Sequence, residues 1–214
     1  MLPRLALALM LTHACSLAVR ADVVAFDEAL HGDASNDRFL PTRVTLSAGV
    51  QLIRGSMGAT SVPDVHDLDY VTVEVPVGHQ LTALTLRNAR VGGAFSFLGI
   101  QAGPMITIPA DWTSINTPLL GWTHFGTSSI GRDLLPEIGR APGTTGFEGP
   151  LAAGTYALWI MELRDDEAYP YEFALQVTPV PAPATLALAL GVFRTRRRRA
   201  ESRSSVASRS TLRA

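Results

Sequence analysis

The chain has 214 residues, 47% of them hydrophobic and 17% charged, which is enough for one domain of ordinary size plus terminal segments. Its formal charge of −1 is unevenly spread: all 18 basic residues are Arg, eight of them from Arg194 onward against the single acid Glu201, whereas eighteen acids face eight Arg between Ala21 and Phe193. An acidic body argues against nucleic acid as a partner, since phosphate binding needs clustered basic side chains, and the lone Cys15 excludes a disulfide framework and a cysteine zinc site.

Met1 to Ala21 has the layout of a secretory signal peptide. Arg4 supplies the positive start, Leu5 to Val19 the apolar run, and Val19-Arg20-Ala21 the small residues at −3 and −1. Cleavage is expected between Ala21 and Asp22, which removes Cys15 and leaves a fold that stands on its apolar core.

From Asp22 to Thr178 the pattern predicts an all-β domain. Thr42 to Ala48 alternates, and Val50 to Arg54 follows Gly49. Tyr70 to Val75 is a period-2 strand with Val71, Val73 and Val75 on one face, and Pro76-Val77-Gly78-His79 turns it into Gln80 to Arg87. Ala94 to Gln101 sets Phe95 and Phe97 on one face. Gly154 to Leu163 sets Tyr156, Leu158 and Ile160 opposite Ala157, Trp159 and Met161, and Tyr171 to Thr178 sets Phe173, Leu175 and Val177 opposite Glu172, Ala174 and Gln176. Seven or eight short strands at this spacing predict an antiparallel β-sandwich or jelly roll, with helices only in the leader and in a short apolar segment near the C-terminus. Gly103 to Gly149 reads as irregular, with one helical turn near Asp133 to Ile138.

No catalytic set stands out. There is no Gly-x-Ser-x-Gly elbow and no His-Glu-x-x-His pair, and a phosphate loop ending in Gly-Lys is excluded by the absence of Lys. His31, His66, His79 and His124 are scattered through turns, and Asp165-Asp166-Glu167 reads as a charged hairpin tip before Tyr169-Pro170. Two acidic runs carry more chemistry: Asp33 to Asp37, with Asn36 between, and Asp64, Asp67 and Asp69 just ahead of the Tyr70 strand. Calcium takes six to eight oxygens, and these runs brought together would supply them. Asp and Asn also suit turns and caps for local reasons, so both readings stand at this point. Trp112, Trp122 and Tyr169 are candidates for an aromatic sugar-binding platform.

The C-terminus reads Val180-Pro181-Ala182-Pro183-Ala184-Thr185, then an apolar stretch to Phe193, then Arg194-Thr195-Arg196-Arg197-Arg198-Arg199. Pro181 and Pro183 keep the backbone extended, the apolar run favours lipid, and the arginines favour the cytoplasmic side. Residues 184–193 span only about 15 Å as a helix, half of a roughly 30 Å hydrocarbon core. This order resembles the PEP-CTERM sorting signal, with Ala182 in the place of the family's glutamate. The resemblance implies an exosortase-type processing enzyme as partner and association with extracellular polysaccharide. Residues 179–199 would form this segment and 200–214 a disordered tail.

Asp67 to Gly78 and Gly154 to Ile160 resemble the pre-peptidase C-terminal domains of exported bacterial proteins, in which an acidic-aromatic strand pairs with a Gly-x-Tyr strand. Some members bind calcium, which by resemblance would fall on Asp33, Asn36, Asp37, Asp64, Asp67 and Asp69. The expectation is an exported, non-enzymatic surface or matrix protein that contacts the inner membrane transiently through its tail. The alternative is an accessory or binding domain of a secreted hydrolase system.

Overall fold

The structure is a computed structural model that describes residues 21–59, 66–90, 96–109, 118–162 and 167–181. The leader helix, the apolar segment 184–193 and residues 200–214 lie outside the described residues. The chain divides into Met1–Thr178 and Pro179–Ala214. Among the described residues, no helix is long and apolar enough to cross a membrane.

The first unit is all-β, as the periodicity predicts. In chain order it runs β1 (Val23–Asp27), α1 (Glu28–His31), β2 (Thr42–Thr45), β3 (Gly49–Ala59), β4 (His66–Val75), β5 (His79–Ala89), β6 (Ser96–Ala102), β7 (Leu119–Phe125), α2 (Leu135–Ile138), β8 (Gly154–Met161) and β9 (Ala168–Pro179). The strand order is β5-β9-β3-β4-β8-β6-β7. β3 and β4 pair only at Gly58↔Asp67 and Ala59↔His66, so the sheet forks there into two leaves. β3 continues against β9, and β4 against β8. Each arm of the fork gains a parallel strand on its other edge, β1 on β3 and β2 on β4. These parallel pairs are absent from the antiparallel expectation. They arise because the chain leaves β1 in one leaf and crosses through residues 28–41 to β2 in the other.

Period-2 alternation sends one side chain in two into the space between the leaves. Ile53, Phe173, Leu175 and Val177 meet Val71, Val73, Leu158 and Ile160 in the main core, and Phe125 meets Phe173 edge-on at 5.2 Å. The opposite face of the β4 leaf is also covered. Tyr70, Phe97, Ala157, Trp159 and Met161 form a second cluster with Ile106 and Ile108. This explains why β8 is apolar on both faces, and it gives part of the long Gly103–Gly149 connection a packing role.

That connection also holds β7, a strand the irregular reading missed. Gly121 interrupts its pattern because the Ile138 carbonyl of α2 occupies the space a side chain would need. The helical turn itself falls at Leu135–Ile138, as expected. The turn after β4 is closed by the His79 N–H donating to the Pro76 carbonyl at 3.0 Å, with Gly78 at φ 77°. Among the described residues, β8 and β9 do not form a hairpin around the acidic run, of which Asp165 and Asp166 lie outside the described residues. β8 pairs β4 and β6, whereas β9 pairs β3, so the two strands lie in different leaves. The Glu167 carboxylate, just ahead of β9, pairs with Arg90 at 2.9 Å.

Candidate metal centre

The fork leaves ladder donors without strand partners. On β3, pairing with β1 ends at Arg54 and pairing with β4 begins at Gly58. The Ser56 N–H in this gap donates to Glu28 Oε2 at 2.7 Å. On β4, pairing with β3 ends at Asp67 and pairing with β2 begins at Val71. Here the Leu68 N–H donates to Asn36 Oδ1 at 2.6 Å, and the Tyr70 N–H donates to the Ser35 carbonyl at 2.9 Å. Residues 28–36 therefore plug the fork by satisfying its backbone donors.

The plug starts at α1, capped by the Asp27 carboxylate accepting the Ala29 N–H at 3.0 Å. Gly32 then takes φ 88°, a left-handed conformation that turns the chain back toward the sheet. The Ala34 N–H donates to Glu28 Oε1 at 3.3 Å and closes the loop on its own first residue.

Asp67 and Asp69 share the inner face of β4 with Val71, Val73 and Val75 because all five have the same parity. Asp69 is thus driven into the forked end of the core and is 0% exposed. Neither of its oxygens accepts a hydrogen bond. Tyr171, the inner-face residue one step from Phe173, brings its hydroxyl beside that carboxylate without a well-formed hydrogen bond. Gly55 makes room for the group: a methyl there would lie 2.5 Å from the Tyr171 hydroxyl and 2.7 Å from Glu28 Oε1.

Glu28, Asp33 and Asp69 each present a carboxylate oxygen, and the three lie within 4.8 Å of one another. None of the three, nor Asp67, belongs to an ion pair among the described residues. Crowding and burial raise the proton affinities. Burial, with the Glu28 charge second, pushes Asp69 up to about 9, and burial, with Asp33 second, pushes Asp67 to about 6. Glu28 is raised chiefly by burial, and the Tyr171 phenol likewise, with Asp69 adding to it. A buried carboxylate without a donor is costly unless a cation or a proton neutralises it. The donors are all oxygens, which suits a hard cation. Calcium tolerates irregular coordination where magnesium demands a near-octahedral shell.

The sequence-predicted ligands separate into groups. Asp33 and Asp69 belong to the cluster and Asp67 borders it. Asn36 is a positioning residue, because its carbonyl oxygen is taken by Leu68 and its amide donates to Asp67 Oδ1 at 3.3 Å. Asp37 caps its own loop, accepting the Phe39 N–H at 2.8 Å. Asp64 lies outside the described residues. Glu28 was not predicted, and its signal was its place directly after an N-cap aspartate. Of the aromatic platform, Tyr169 is buried in the core, Trp122 is half-buried on β7, and Trp112 lies outside the described residues. Within the sorting segment and cleavage site, Ala21, Asp22, Val180 and Pro181 are described. Ala182, Pro183, Ala184, Thr185, Arg196, Arg197, Arg198 and Arg199 lie outside the described residues.

No protein-family model matches the chain, and neither a curated protein nor a solved structure matches it.

Proposed function

We propose that the chain is an exported, non-enzymatic cell-surface or extracellular-matrix protein whose β-sandwich is closed at its fork by one calcium ion. The observation that carries the cation is Asp69, a fully buried carboxylate with no hydrogen-bond partner, facing Glu28 and Asp33. In this reading Glu28, Asp33 and Asp69 hold the ion. Calcium supplies the positive charge the cluster lacks and ties the plug to β4. Calorimetric titration of calcium into the chelator-stripped protein tests it. One ion per chain, lost in Asp69→Asn, is expected, and no binding by the unaltered protein would refute the reading.

Export rests on the leader and sorting on the tail. A cut before Asp22 would leave β1 whole, since that strand starts at Val23. A cut beyond Pro181 would leave β9 whole, since that strand ends at Pro179. Both support a mature domain trimmed at each end by a signal peptidase and an exosortase-type enzyme.

A further inference from the structure

Tyr171 reaches the fork from the other leaf. It lies on β9, directly across from Gly55 of β3, whereas Asp69 projects inward from β4. Its side chain is buried, and its ring packs on Phe173 with 5.3 Å between centroids. Gly55 decides where the phenol ends. A side chain at that position would meet both the Tyr171 hydroxyl and Glu28 Oε1, so its absence lets the ring lie over β3 with its hydroxyl among the acids of the fork.

That hydroxyl is shielded from water and has no hydrogen-bond partner among the described residues. Buried hydroxyls are normally paired, because an unpaired one loses its bonds to water and gains nothing in return. Three acids surround it, Asp69 foremost, then Glu28 and Asp67. Two of them are engaged. Glu28 Oε1 accepts the Ala34 N–H and Oε2 the Ser56 N–H, and Asp67 Oδ1 accepts the Asn36 amide. Asp69 is the exception, with neither oxygen bonded. A buried donor without an acceptor thus stands beside a buried acceptor without a donor, one from each leaf.

We propose that Tyr171 is the positioning residue of the cation site: when calcium binds, its hydroxyl donates to Asp69 and holds that carboxylate toward the ion. This role rests on the cation reading of the fork and adds the residue that orients its buried ligand. Carboxylates that hold a metal are themselves hydrogen-bonded, which fixes their orientation. A phenol suits this place because it donates to an ionised oxygen strongly while adding no charge to a group of three acids. It also brings β9 into a site otherwise built from Glu28, Asp33 and β4.

Calorimetric titration of calcium into the chelator-stripped protein, unaltered and as Tyr171→Phe, tests the role, together with urea midpoints of both in chelator. Tyr171→Phe is expected to bind one ion about tenfold more weakly. Its midpoint in chelator should equal or exceed that of the unaltered chain, because the hydroxyl removed is unpaired there. A tyrosine that only packs would instead lower that midpoint and leave the affinity unchanged. Calcium should also move the tyrosine absorbance of the unaltered protein to longer wavelength, as expected of a phenol that gains an anionic acceptor. That signal is read on the unaltered chain and stands even if the variant does not fold. Unchanged affinity in Tyr171→Phe, a lower midpoint in chelator, or no tyrosine shift on calcium binding would each overturn the role of Tyr171 and leave the cation site standing. No calcium binding by the unaltered chain would overturn both.

Discussion

Glu28 and Asp69 reach the same point from opposite arms of the fork. Glu28 follows β1 and reaches across to the Ser56 N–H of β3, Asp69 projects inward from β4, and their carboxylate oxygens lie within 4.8 Å. One has a backbone donor and the other has none. Asp69 is therefore the residue whose charge the fold leaves uncompensated.

The cation-free protein should lose stability as pH rises. Asp69 titrates at about 9 and Asp67 at about 6 in the folded chain, above the ordinary 3.8. A carboxyl with a raised folded pKa holds its proton more tightly folded than unfolded, so stability falls as pH climbs from about 4 toward 9. Urea midpoints in chelator are expected to drop steadily between about pH 5 and 8. Saturating calcium should remove that decline, because it binds the ionised carboxylates. A midpoint in chelator that rises with pH would contradict the burial of these groups.

Asp69→Asn separates a ligand from a structural acid. It keeps shape and removes charge. The variant should be at least as stable as the unaltered chain in chelator at pH 8, and it should lose the calcium increment entirely. Equal destabilisation in calcium and in chelator would make Asp69 an ordinary structural residue.

The contact between β7 and α2 depends on Gly121. Gly121→Ala would drive a methyl into the Ile138 carbonyl. A cost on the order of 1–3 kcal/mol, read from urea unfolding, is expected. Trp159, fully buried in the second cluster and packed on Tyr70 and Phe97, should cost about 3–5 kcal/mol on replacement by Ala.

Processing has its own readout. The intact mass of protein recovered from the native host should correspond to a chain starting at or near Asp22 and ending soon after Pro181. A mass that retains Arg196 to Arg199 would remove the sorting proposal while leaving the cation site untouched.

Much of the sandwich was legible because alternation is a local signal. Val71, Val73 and Val75 marked β4, and Phe173, Leu175 and Val177 marked β9. The same parity extends back to Asp69 and Asp67, but charged residues read as a loop, so the alternation predicts the strand only from Tyr70 whereas it begins at His66. β7 was hidden because Gly121 answers to a carbonyl from a distant helix rather than to its own neighbours. Glu28 was hidden for a similar reason, since its role depends on a gap in the ladder of β3. Tyr169 reads as a surface ring because Pro170 and the acids before it read as a tip, whereas it lies on β9 opposite Met57 of β3 and is buried in the core.

Thermal unfolding with saturating calcium and with chelator tests the cation at the fork most directly. A ligand at 100 times its dissociation constant adds about 2.7 kcal/mol, which for a domain of this size is a rise of roughly 5–10 °C. The account requires a rise of that order in the unaltered protein and none in Asp69→Asn. Identical midpoints in calcium and chelator would contradict it, leaving Glu28, Asp33 and Asp69 as acids neutralised by protons alone.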